Sequence, residues 1–87
     1  MGENMEGVES SSPYREALIS LIVSISRATR LRESNQVLLV MQLDTEAKIR
    51  EFSRWIKSKL KGENDLQVDE IQIMHASARI SRGEKPE

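Results

Sequence analysis

Between Val37 and Leu60 the apolar period of the chain changes within a few residues. The run Val-Leu-Leu-Val-Met-Gln-Leu over 37–43 is nearly continuous in its apolarity, as in a strand covered on both faces. After Asp44-Thr45 the apolar positions become Ile49, Phe52, Ile56 and Leu60, spaced as on one face of a helix. This reads as a strand over 37–43 feeding an amphipathic helix over 45–60. Asp44 at its N-cap and Glu46 in its first turn suit the free amides and the helix dipole there. Gly62 is placed to end the helix in a left-handed conformation.

The flanks are read around that centre. Ser12-Pro13 is a helix start, because proline loses no hydrogen bond in a first turn. From Ala17 to Leu31 two periods compete. Leu18, Leu21, Ile22, Ile25 and Ala28 follow helical spacing, whereas Ile19, Leu21, Val23 and Ile25 alternate with serines as a strand would. The start signal and the helix formers Arg15, Glu16, Ala17 and Leu18 favour a helix, apolar on more than one stripe and hence expected to be buried on two sides. Over 67–80 the ambiguity returns, since Val68, Ile71, His75 and Ala78 suit a helix but Ile71 and Ile73 suit a strand. A lone strand at 37–43 needs a backbone partner, so 67–76 is assigned as its parallel neighbour across the helix.

The expected fold is therefore α+β, in the order helix, strand, helix, strand, built around a strand-helix-strand unit. Two strands are too few for a stable sheet. A domain of 87 residues also hides only about 60–65% of its unfolded surface. A homodimer that completes the sheet or covers the first helix answers both. Residues 1–12, with three acids, three serines in a row and little apolar content, read as a flexible tail; 13–82 as a single domain; 83–87 as a frayed end.

Composition narrows the chemistry. There is no cysteine, so disulfides and thiol nucleophiles are excluded, and one histidine cannot make a tetrahedral zinc site. With no positively charged apolar leader and no run of the roughly 18 apolar residues that a membrane span needs, a soluble, cytoplasmic protein without membrane association is expected. No Gly-x-Ser-x-Gly elbow and no glycine-rich loop after residue 43 occur, so neither a hydrolase nor a nucleotide fold is indicated. No catalytic residue, metal or cofactor is assigned. His75 lacks a partner identifiable from sequence, and it anchors only a third reading, a small enzyme or ligand-binding protein.

Net charge is −1, but the first twelve residues hold three of the fourteen acids and no base. Residues 44–61 carry six bases against three acids, followed by the acidic cluster Glu63, Asp65, Asp69 and Glu70. Arg50, Arg54, Lys57 and Lys61 form a stripe on the polar side of the second helix, and Arg27, Arg30 and Arg32 cluster near the end of the first. Either could contact a partner or grip nucleic-acid phosphates, with Trp55 beside Arg54 as a stacking residue, a dimer anchor or a core side chain. Near-neutral total charge and only three aromatics make nucleic-acid accessory binding the second reading. The first is a non-enzymatic protein-interaction or regulatory module acting as a homodimer.

Overall fold

A computed structural model describes residues 13–62 and 65–86. The protein is α+β and mostly helical: α1 (Pro13–Ala28), α2 (Glu33–Gln42), α3 (Glu46–Lys59), β1 (Leu60–Lys61), β2 (Asp65–Leu66) and α4 (Glu70–Ser81). The only strands among the described residues are the short antiparallel pair β1 and β2, which match Leu60 with Leu66 and Lys61 with Asp65. Gly62, at φ +82, makes the turn that this ribbon needs. Its left-handed geometry was legible in the sequence; its place is the hairpin rather than the helix cap, which falls at Leu60.

Helix α1 forms as its start signal and spacing suggest, with Pro13 as its first residue and Leu18, Ile22 and Ile25 on the buried side. Within the single chain its second apolar stripe is open, with Ile19 and Val23 about half exposed. Helix α3 is the amphipathic helix expected after Thr45, with Phe52, Trp55 and Ile56 inward. Thr45, not Asp44, is its N-cap: the threonine hydroxyl accepts from the Lys48 amide at 3.3 Å, while Asp44 pairs with the Lys48 amine at 3.0 Å.

Both expected long strands are helices. Residues 37–43 belong to α2 and its C-cap, so the strand-helix-strand unit is absent. The reason lies in which apolar residues are covered: Leu39 and Leu43, four apart, are buried with Val40 beside them, while Val37, Leu38 and Met41 are exposed. Gln, Leu and Met are also good helix formers, and they outnumber the two valines of 36–43. The run is half-covered rather than doubly covered. Once residues 37–43 form their own helical hydrogen bonds, no backbone partner is needed, and the reason for a strand at 67–76 disappears. There Asp69 and Gln72 form a capping box, the Asp69 carboxylate accepting from the Gln72 amide at 2.9 Å and the Gln72 side chain accepting from the Asp69 amide at 3.0 Å. Ile73, Ala76, Ser77 and Ile80 then share the buried face of α4.

The core gathers one face of each helix around Phe52, Leu39 and Ile73, all fully buried. Helix α4 packs against both α2 and α3, and α1 against α2 and α3. Helices α1 and α3 run in the same direction: Tyr14 and Ala17 share a groove with Ile49 and Ser53, and Leu21, Ile25 and Ala28 share one with Ile56 and Leu60. Phe52 and Trp55 lie with ring centroids 6.2 Å apart, and the Lys59 amine sits 5.8 Å from the Trp55 ring.

Two polar links hold α4 to α2. Helix α2 has no side-chain cap of its own at Arg32. Glu70 fills that role from α4, accepting from the Arg32 amide at 2.8 Å and from the Asn35 side chain at 2.6 Å, with the Arg32 guanidinium 3.5 Å away. These donors, the Arg32 amide foremost, hold the Glu70 carboxyl below the usual carboxylate range. Farther along, the fully buried Ser77 hydroxyl donates to the Gln42 side chain at 2.5 Å. After α4 the chain turns back at Gly83, φ +82, and Glu84 bonds Arg82 at 3.0 Å and lies 3.7 Å from Arg79.

Candidate interaction surfaces

The basic residues singled out in the sequence fall on three separate places. Arg50, Arg54 and Lys57 come together on the outer face of α3, along a groove of about 370 Å³ whose other side is Tyr14 and Ala17 from the start of α1. Two of the three are engaged within the helix: Arg50 with Glu46, and Arg54 with Glu51 at 3.1 Å. Lys57 has no ion-pair partner among the described residues. Lys61 leaves the stripe, because the helix has ended and it belongs to β1. Arg27 lies at the far end of α1, lining a crevice with Ile56 and Leu66. Arg30 is exposed in the α1–α2 loop, and Arg32 is tied to Glu70. The arginine cluster of 27–32 and the α3 stripe are thus not one patch.

Trp55 is only 7% exposed, so its ring is chiefly a core side chain. It forms the floor of a second groove, of about 350 Å³, between α3 and α4, with Lys59, Gln72, His75 and Pro86 at its walls and the strongly exposed Ile71 at its rim. His75 is exposed there and makes no hydrogen bond among the described residues. The nearby Glu84 carboxylate is bound by Arg82, whose hydrogen bond is the main reason that carboxyl sits below its usual range. Among the described residues no acid–base pair is assembled around the imidazole. Among the described residues there is also no group of three histidine, aspartate or glutamate side chains placed to hold a metal ion. No helix among them is long and apolar enough to cross a membrane.

A third surface is apolar. On α1, Ile19 and Val23 lie four apart and face solvent. On α2, Val37 and Met41 do the same, at 54% and 67% exposure, with Leu38 beside them. The two helices pack against each other, and on each the exposed apolar residues lie off the face that carries its buried ones, Leu18, Ile22 and Ile25 on α1 and Leu39 on α2. Ile19 and Val23 belong to the second apolar stripe read on the first helix, and Val37, Leu38 and Met41 to the run read as a doubly covered strand, but none of the five was assigned as a contact residue. The signal is charge rather than hydropathy: residues 17–26 and 34–43 contain no Asp, Glu, Lys or Arg, in a chain that is 31% charged.

No protein family model matches the chain, and neither a curated protein nor a solved structure matches it.

Proposed function

We propose that the protein is a small non-enzymatic interaction module that acts as a homodimer through the outer side of the α1–α2 hairpin. The observation that carries this reading is the exposed apolar pair on each helix, Ile19 with Val23 and Val37 with Met41, within charge-free stretches. Solvated helix faces normally carry charge, and uncharged apolar side chains gathered on one side mark interaction sites. A face without charge also meets its own copy across a two-fold axis without like-charge repulsion, which favours an isologous pair.

The nucleic-acid reading has less support. Of the four α3-stripe cations, Arg50 and Arg54 already have carboxylate partners, and Lys61 is off the helix. Steep, salt-sensitive affinity needs several cations free for phosphates. An enzymatic reading around His75 would need a carboxylate or nucleophile bonded to the imidazole.

Sedimentation equilibrium of the full chain, beside a Val23→Glu/Met41→Glu double variant, tests the dimer. Wild type is expected as a dimer at micromolar concentration, and the variant as a monomer of unchanged helical circular dichroism. A wild-type monomer throughout that range, or a variant that still pairs, overturns the reading.

A further inference from the structure

The groove between the start of α1 and the outer face of α3 has an acidic segment of the same chain attached at its edge. Its walls are Tyr14 and Ala17 on one side and Glu46, Ile49, Arg50, Ser53, Arg54 and Lys57 on the other, three cations against one carboxylate. Pro13, next in the chain to Tyr14 of the groove wall, begins α1, and residues 1–12 precede it in sequence. Those residues carry Glu3, Glu6 and Glu9 and no base. We propose that the segment 1–12 docks on this groove of its own chain, Glu6 and Glu9 opposite Arg50, Arg54 and Lys57, and so covers the basic face of α3. This goes beyond the dimer reading and uses a different surface.

Charge and reach both fit. Arg50 and Lys57 are about 10 Å apart along the helix axis at 1.5 Å per residue. Glu6 and Glu9 span up to about 10 Å in extended chain, and Glu9 lies within about 13 Å of Pro13 by the same measure. Lys57 has no ion-pair partner among the described residues, whereas Arg50 and Arg54 already pair with the half-buried Glu46 and Glu51 of the same helix, so a tail carboxylate shares those two cations and has Lys57 to itself. The groove floor includes the partly buried Ile49, against which the tail offers Val8. The other two surfaces offer the glutamates less: the α1 stripe has single cations, Arg15 and Arg27, at its two ends, and the Trp55 groove is lined by one, Lys59. Docking of this kind screens the basic face from any acidic partner until that partner displaces the tail.

The chain has no cysteine, so Gly7→Cys accepts a single nitroxide in the full-length protein. With uniform nitrogen-15 labelling, the amide signals of Arg50, Ser53, Arg54 and Lys57 should broaden selectively. That broadening should be lost when Glu6→Gln and Glu9→Gln are added, and lost again in about 1 M salt, where screening acts within about 3 Å. It should not change on dilution. Broadening of the groove that survives the glutamine changes, broadening centred on another surface, or broadening that fades on dilution and so arises between copies would each overturn the proposal.

Discussion

Phe52 is fully buried, stacked on Trp55 and part of the apolar cluster to which all four helices contribute. Phe52→Ala should cost about 3–5 kcal/mol through lost burial and the cavity left behind, a large part of a small domain's stability. Lys57→Ala, on the exposed side of the same helix, should cost less than about 0.5 kcal/mol. Urea denaturation of the two variants checks both, and the reverse order would mean α3 is turned the other way. Glu70 is the polar counterpart. Its carboxyl is held below its usual range by the Arg32 amide first and the Asn35 side chain second, so the folded state favours the ionised form. The resulting stability is present above the unfolded value of about 4.3 and is lost as pH falls through the lower folded value. Glu84 and Asp44, lowered by Arg82 and Lys48, act in the same direction. Thermal melts between neutral and strongly acidic pH should show a falling midpoint, and Glu70→Gln should flatten that fall. A variant with the wild-type acid dependence would show that the clasp at the α2 start does not couple to protonation.

At the scale of elements, α1 and α3 were legible because each has a start signal next to helically spaced apolar residues, Pro13 before Leu18, Ile22 and Ile25, and Thr45 before Phe52 and Ile56, and in α1 that signal outweighed the competing alternation at Ile19 and Val23. Helix α2 was not, because Val37 to Leu43 mixes two populations. Leu39 and Leu43 are apolar for the core, while Val37, Leu38 and Met41 are apolar on the outside, and together they imitate a doubly covered strand. Its start also lacks a local cap, since the acceptor comes from Glu70, far away in sequence. The error then spread to α4. Its capping box, Asp69 to Gln72, was present to be read, but a supposed lone strand demanded a partner and outweighed it. The charged groove was partly legible, in the spacing of Arg50, Arg54 and Lys57; the contribution of Tyr14 and Ala17 depends on how α1 lies beside α3, which spacing does not encode. A pair of substitutions separates helix from strand at α2. In a strand, Leu39 and Met41 would share a face and respond alike; in α2, Leu39→Ala should cost about 2–5 kcal/mol and Met41→Ala no more than about 0.5 kcal/mol. Similar losses at the two positions in denaturant titrations would restore the strand.

The whole molecule divides its surfaces by charge. The outside of α3 is laced with ion pairs, Asp44 with Lys48, Glu46 with Arg50 and Glu51 with Arg54, whereas the outside of the α1–α2 hairpin carries none over two ten-residue stretches. A domain of this length has little core to spare, so apolar side chains left in water cost solubility without adding stability unless something covers them. If the cover is a second copy, folding and pairing are linked: the dimer binds the native state and not the unfolded one, and apparent stability rises with protein concentration. The thermal midpoint of wild type should therefore climb across a hundredfold concentration series, with each tenfold step adding about 1.4 kcal/mol to the pairing term. In Val23→Glu/Met41→Glu the midpoint should stay flat, while the near-ultraviolet signal of Trp55, packed on Phe52 away from this face, stays as in wild type. A flat wild-type series would leave the α1–α2 face uncovered by its twin, and a variant whose Trp55 signal collapses would mean that Val23 and Met41 support the core rather than a partner.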